Sequence, residues 1–467
     1  MKLWDKLKKG AKYVAMAFEK DKLTDRLIIE MINNDKASNK KVMMIKGDKY
    51  YTVENDILNI TKNKKDYQSD ERLAHGIFHS LIDEKVEYSF SKNPSITSNN
   101  GETAIKVIEL LGYDFQYNLE TLAYEASKKG IAWCRPYVDM EGDLKLFIPK
   151  SEQIIPGWKD ASHRELDYLI RYYDSKVFRF NKLVDITNVE VWFPDEVKYY
   201  RLDGSQLLPI QSAEGHFWRD GEPESWGRVP WIAFKNNRDE MSDLQFVKSL
   251  IDGYDMSRTE VANFINDVRN LIFVLKGYDG DSLDEFMAKL LKYRAVVLDS
   301  DEGADVNTLT PQMDITSVKQ HYEQLKRDIY DYGQGVNRDL DKFGSAPSGI
   351  ALKFLFSGLD LKNNQIESEF RRGFEQLVEF IFLFLNNKNE SIVRDKVEIV
   401  FARDIPLNET ESIQNCNNSR GLISNATIIA NHPWVQDVSD EIEKIEKENM
   451  EMGESFNTVT LEGEEDE

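Results

Sequence analysis

Apolar residues in the second half of the chain recur at three- and four-residue steps over long distances. Leu244, Val247, Leu250, Ile251, Tyr254, Val261, Phe264, Ile265 and Val268 form one stripe, the pattern of a helix with a single buried face. Ser242 and Gln245 are spaced as a capping box at its start, and Met241 and Phe246 as a hydrophobic staple. At about 1.5 Å per residue, residues 242–270 extend roughly 40 Å. Gly253 interrupts the stripe at a cost of about 1 kcal/mol against alanine, so a bend is expected there. Val318, Tyr322, Leu325, Ile329, Tyr332 and Val336 repeat the period in a second helix, capped from Asp314, Thr316 or Ser317. Ile350, Leu352, Phe354 and Leu355 open a third, continued by Ile366, Phe370, Phe374, Leu377, Val378, Ile381 and Leu385.

A compact module separates the first two helices. Residues 271–275 read as a strand ended by Gly277, and Ser282 with Glu285 opens a short helix bearing Leu283, Phe286, Leu290 and Leu291. Residues 295–298 and 306–309 read as strands around an acidic turn, 299–305. So small a module has too little core to stand alone, and copies of it are expected to pack on neighbouring subunits.

The first half is mixed. Residues 72–90 and 103–129 read as helices, and 131–138 with 144–148 as a hairpin turning at Glu141 and Gly142. Residues 166–173, 189–193 and 197–202 extend the β pattern, and Gly, Pro and Asn from 227 to 237 mark the exit into the first long helix. Beyond the third helix, Val397, Ile399 and Phe401 alternate as a strand. Short helices are expected at 422–430 and 441–450, before an acidic tail.

Composition narrows the chemistry. The chain has 467 residues, 41% hydrophobic and 30% charged, enough for two or three cores. A net charge of −22 argues against a protein that grips nucleic acid over a wide surface or binds anionic membranes. Cys134 and Cys416 make neither a disulfide framework nor a zinc cluster, and reduced cytoplasmic synthesis is expected. Residues 1–18 are basic and amphipathic, with Leu3, Trp4 and Leu7 beside Lys2, Lys6, Lys8 and Lys9. They lack a secretory core and read as a docking helix in preference to a membrane-surface one. The longest apolar run, 380–385, is far too short to span a bilayer.

Candidate motifs weigh toward ordinary roles. His75 and His79 have zinc-ligand spacing, but Gly76 stands where a metalloprotease needs glutamate, and a satisfied or surface pair is expected. The glycines at 344 and 349 lack the Gly-Lys-Ser/Thr ending of a nucleotide loop. Asp239, Glu240, Asp299 and Asp301 have no spacing that selects two metals over solvated acids.

Three phrases carry a resemblance: Asn236-Asn237 leading into residues 242–252; Leu275-Lys276-Gly277-Tyr278; and residues 348–354 with Gly358-Leu359-Asp360-Leu361 behind them. With Tyr50-Tyr51 and residues 55–59, in this order, they cover most of 45–410. The chain resembles the portal proteins of tailed bacteriophages, of the type found in siphoviruses of Gram-positive hosts.

The resemblance implies an α+β portal fold with a mixed wing (1–237) and two stem helices (238–270 and 314–336) around an α/β clip (271–313). A channel loop (337–349), a long helix with a returning wing strand (350–408), a helical crown (409–450) and an acidic mobile tail (451–467) complete it. The loop residues it would bring to DNA are Arg338, Asp339, Lys342, Phe343, Gly344, Ser345, Ala346, Pro347, Ser348 and Gly349, with Lys342 as the phosphate contact. Lys353 would supply a second basic ring. Partner contacts of the clip would fall to Lys276, Tyr278, Lys289, Lys292, Arg294, Asp301 and Glu302.

By the same resemblance the chain would do no covalent chemistry and need no cofactor. It would form a ring of twelve at the portal vertex of the virion, after assembly in the host cytoplasm. Double-stranded DNA in transit, the terminase large subunit, a head–tail adaptor, and the major capsid and scaffolding proteins would be its partners, with no membrane anchor. Another head–tail connector or scaffold-type ring protein is the alternative; a nuclease with a long helical arm is the rival from a different class.

Overall fold

The computed structural model describes residues 23–60, 69–179, 182–212, 214–219, 221–268, 272–276, 282, 284–285, 305–309, 314–337, 349–388, 390, 392–403, 409–435, 438 and 441–448. Two helices that the sequence pattern does not announce come first, α1 (Asp25–Lys36) and α2 (Asn39–Tyr51), capped by Thr24 and Ser38. Three more follow: α3 (Ile77–Phe90), α4 (Gly101–Leu111) and α5 (Phe115–Lys129). The stretch expected as one helix over 103–129 is therefore two, broken where Gly112 adopts φ +67°. The helix expected from residue 72 begins only at 77.

The hairpin β2 (Ile131–Val138) and β3 (Leu144–Phe147) forms as expected, and β11 (Ile232–Lys235) pairs on the other side of β2. A five-stranded antiparallel sheet runs in sequence order: β4 (Ile154–Trp158), β5 (Leu166–Arg179), β6 (Lys182–Trp192), β7 (Val197–Asp203) and β8 (Gln206–Pro209). Ile28 and Ile32 of α1 close one face of it over Tyr168, Ile170, Tyr172 and Val191. A small ribbon of β9 (Phe217–Arg219) and β10 (Glu222–Glu224) leads toward β11.

The long helices are α6 (Leu244–Val268), α7 (Ile315–Gly333) and α8 (Gly349–Asn387). Between α6 and α7, β12 (Ile272–Lys276) pairs antiparallel with β13 (Asp305–Leu309). Glu285 N–H donates to Ser282 Oγ at 3.4 Å, as a short helix there requires. The strand expected at 295–298 lies outside the described residues. α6 and α7 run antiparallel: Val247 lies near Gly333, Gly253 faces Leu325, and Tyr254 meets Tyr322 edge-on at 6.3 Å. α6 continues as helix through Gly253, where an added Cβ would meet the Leu325 methyls at 3.8 and 4.0 Å, an ordinary contact.

The main core gathers the apolar stripe of α8, every named residue from Ile366 to Leu385, against α3, α5, α6 and β11. β14 (Val397–Val400) turns Val397 and Ile399 inward as expected, but it pairs with β1 (Ser95–Ser98) in a two-stranded ribbon and not with the five-stranded sheet. At the C-terminal end, α9 (Glu409–Asn418) and α10 (Asn425–Ala430) precede a helical stretch over 441–448. Cys134 and Cys416 are free and buried.

Candidate functional site

The entry into α6 is fastened by polar contacts. Ser242 Oγ accepts from Leu244 N–H at 3.1 Å and donates to the Lys128 carbonyl at 2.6 Å. Phe246 is exposed, so this tie to the end of α5, and not the staple on Met241, fixes the helix. The Asn237 amide brackets Met241, accepting from its N–H and donating to its carbonyl. Glu240, at φ +56°, is ringed by Lys40 Nζ at 2.5 Å, His163 Nδ1 at 2.7 Å and Lys235 Nζ at 3.1 Å. Burial opposes its ionisation, but Lys40, then His163 and Lys235, bring its carboxyl down to about 2.

One residue into the same turn, Asp243 is buried between two ammonium groups, Lys85 at 2.9 Å and Lys362 at 3.2 Å, and accepts from the Asn236 amide at 2.9 Å. Burial works against this carboxylate too, yet Lys362 and Lys85 hold it below the ordinary range. Burial pulls Lys85 down to about 8 despite Asp243. The phrase Asn236-Asn237…Ser242-Asp243 thus describes a joint, linking the start of α6 to α3 and α8.

A strap reinforces α6. Residues 69–75 lie extended along it, and Asp255, Thr259 and Asn263, spaced by four, meet His75, Leu73 and Glu71, spaced by two. Asp255 accepts from His75 N–H at 3.2 Å and Asn55 Nδ2 at 2.6 Å, Thr259 Oγ1 from Leu73 N–H at 3.0 Å, and Asn263 Oδ1 from Glu71 N–H at 2.7 Å. Four helical residues advance about 6 Å and two extended residues about 6.6 Å, so the two repeats stay in step. His75 is bound to Asp255 and His79 to the Tyr51 carbonyl and Asp83, so both histidines are satisfied, as expected.

The expected channel-loop residues Arg338, Asp339, Lys342, Phe343, Gly344, Ser345, Ala346, Pro347 and Ser348 lie outside the described residues, but both ends of that segment are placed. α7 is capped by the Asp314 carboxylate, which accepts from Thr316 and Ser317 N–H, and ends at Gln334 in the left-handed region. Lys362 Nζ donates to the Gly333 carbonyl at 2.7 Å, and Val336 N–H to Glu84 Oε2 at 2.8 Å. A Cβ on Gly335 would come within 2.3 Å of Leu81, so glycine lets this end lie tight on α3. Val336, read as the last of the α7 stripe, sits beyond the helix, buried with Tyr88 and Leu359, while Tyr332 faces out.

The other end is Gly349, the first residue of α8. One turn on, Lys353 and Phe354 are exposed, and Phe356 stacks on Tyr88 at 5.7 Å. Tyr88 Oη donates to Asp360 at 2.8 Å, which also binds Arg403 at 2.7 Å. Both ends of the segment are therefore held on α3, through Leu81, Glu84 and Tyr88. Sequence reasoning missed this α3 platform. Of the expected clip contacts, Lys276 ends β12; Tyr278, Lys289, Lys292, Arg294, Asp301 and Glu302 lie outside the described residues.

Known proteins share this sequence pattern. Residues 31–454 match the family model described as phage portal protein, SPP1 Gp6-like. The chain is 30% identical over 426 residues to the portal protein of Bacillus phage SPP1, covering 87% of this chain and 83% of that one. It is 31% identical over 441 residues to the portal protein of Clostridium phage phiCD119, covering 89% and 94%. Among solved structures, the neck of a native GTA particle, computed with C12 symmetry, aligns with a TM-score of 0.39 at 11% identity, over 76% of this chain and 88% of that one.

Proposed function

This chain belongs to the SPP1 Gp6-like family of phage portal proteins, a ring-forming component of the phage particle, and from that premise we propose how its parts divide the work. α6 and α7 are the stem, side by side with their counterparts in neighbouring copies around a bore for double-stranded DNA. β12, β13 and the residues between them are the clip, which meets the terminase large subunit during packaging and a head–tail adaptor afterwards. Residues 338–348 form the loop that reaches the bore. The body before α6 is the wing and the helices after 409 the crown; capsid and scaffolding proteins meet the ring as the procapsid nucleates around it. Twelve copies close the ring at one capsid vertex, assembled in the host cytoplasm.

The observation that carries the loop assignment is that both its ends are pinned to α3, by Val336 N–H on Glu84 at 2.8 Å and by Phe356 on Tyr88 at 5.7 Å. We take the segment between these two anchors as the loop. It carries Lys342, and Lys353 stands exposed at its exit. In a chain of net charge −22 such isolated cations touch phosphates without gripping them, and repetition around a ring makes weak contacts act together. The protein does no covalent chemistry in this scheme; ATP hydrolysis is the terminase's. Lys342→Glu is expected to lower the packaged DNA per particle while leaving the mass of the purified ring unchanged. Undiminished packaging rejects the loop assignment.

A further inference from the structure

The β5–β6 hairpin outruns its sheet. β4 pairs with β5 only as far as Arg171, and β7 with β6 only from Thr187. The last five register pairs, Ser175↔Ile186 to Arg179↔Lys182, have no third strand among the described residues. A two-stranded ribbon by itself is marginal in water. Its apolar residues are uncovered: Phe178 and Leu183, opposite each other on one face, are 71% and 60% exposed, and Val184 is exposed on the other. Residues 175–186 hold three cations, Lys176, Arg179 and Lys182, against one acid, Asp185, which stands opposite Lys176. The register closes on two of the cations, Arg179 opposite Lys182.

A second exposed surface has the opposite character. A groove of about 690 Å³ lies between the start of α5 and the β2–β3 hairpin, walled by Glu109, Asp114, Asp143, Tyr113 and Tyr117, with Lys145 as its cation. Tyr113 is fully exposed and Tyr117 mostly so, as is Met140 in the adjoining turn, where Asp139 and Glu141 add acid. Clustered exposed aromatics beside charge are the composition of an interface, not of a solvated surface.

We infer that the β5–β6 tip of each copy seats in the acidic aromatic groove of the next copy around the ring. The inference rests on the ring reading above and names one of its contacts. A head-to-tail ring requires two different, mutually complementary patches on one chain. Here a basic, apolar ribbon and an acidic, aromatic groove supply them. Docking covers Phe178 and Leu183, brings carboxylates to the Arg179–Lys182 end, and gives the ribbon the support that its own sheet does not.

The test uses the full chain with Phe178→Cys and Tyr117→Cys together; the native cysteines are buried and stay silent. Native mass first establishes that rings form. A short bismaleimide is then expected to give a ladder of covalent multimers on a denaturing gel, absent from either single variant. Rings that assemble but yield only monomer-sized product overturn the inference. So do assembled particles in which the thiol introduced at position 178 crosslinks to a different virion protein. Absence of rings counts against the ring reading itself and removes the inference with it. A second arm reverses charge: Lys176→Glu with Lys182→Glu should slow ring assembly by about tenfold, as lost electrostatic steering does, and Asp114→Lys with Asp143→Lys should restore it. Unchanged assembly, or no restoration, also overturns the contact.

Discussion

The Nδ1 atom of His75 lies 2.7 Å from Oδ1 of Asp255, a wholly buried carboxylate in the middle of α6. This pair is the centre of the strap that ties residues 69–75 to the helix. Because Asp255 also accepts from the buried Asn55 amide and from the His75 main chain, truncating it strands several donors at once. Asp255→Ala is expected to cost about 3 kcal/mol of stability and to raise amide exchange across 69–75. Thr259→Val removes one bond from Leu73 N–H and should cost about 1 kcal/mol. Denaturant melts with hydrogen exchange check both; equal effects from the two variants would contradict the strap's hierarchy.

Glu240 links stability to acid. Its carboxyl is held down to about 2, below its ordinary 4.5, so the stability it contributes is present above about pH 4.5 and is lost as pH falls toward 2. Glu240→Gln should therefore destabilise the protein by about 3 kcal/mol at neutral pH, and the difference from the unaltered chain should shrink to nothing by about pH 2. A gap that stays constant from about pH 7 to about pH 2 would show that the Lys40, His163 and Lys235 contacts do not act through charge.

The Lys85–Asp243–Lys362 cluster makes an asymmetric prediction. Asp243→Ala leaves two buried ammonium groups without their carboxylate and should cost about 3–5 kcal/mol. Lys85→Met leaves Asp243 with Lys362 and Asn236, removes a cation that burial already disfavours, and should cost less than about 1.5 kcal/mol. Thermal melts of the two variants decide it, and a Lys85→Met loss as large as that of Asp243→Ala would be contrary.

Gly130 ends α5 at φ +90°, and a Cβ there would lie 2.2 Å from the Glu240 carbonyl oxygen. Strain and main-chain overlap act together, so Gly130→Ala should cost more than about 3 kcal/mol. Gly112 has φ +67° but open space around it, and Gly112→Ala should cost about 1 kcal/mol. Parallel melts check the ordering.

The three long helices and the β2–β3 hairpin were legible because their apolar period is sustained and bounded by capping or turn residues, whereas the β5–β6 hairpin was readable only at its base, 166–173 and 189–193, since its outer half buries no face. Other elements had weaker signals. Ile28 and Ile32 are the whole buried stripe of α1, and lysines at 40, 41, 46 and 49 obscure α2. Only three residues, Gly112 to Asp114, separate α4 from α5, and helix propensity on either side hides the break. Tyr332 and Phe354 fit the period yet face out. Of the candidate site, the two flanking helices were readable, while residues 338–348 lie outside the described residues. The α3 platform was not readable, because Glu84 and Tyr88 act across more than two hundred residues of chain. The strap has a sequence signal in Asp255, Thr259 and Asn263, polar at steps of four, but the other polar residues of α6 mask it.

The central claim is that α6 and α7 of successive copies stand together around a bore wide enough for duplex DNA. Native mass of the purified protein, with averaged electron images viewed down the symmetry axis, tests it most directly. A closed ring of twelve copies is expected, its central opening walled by the α6–α7 pairs. A protein that remains monomeric in every condition, or a ring whose opening is faced by other elements, would contradict it.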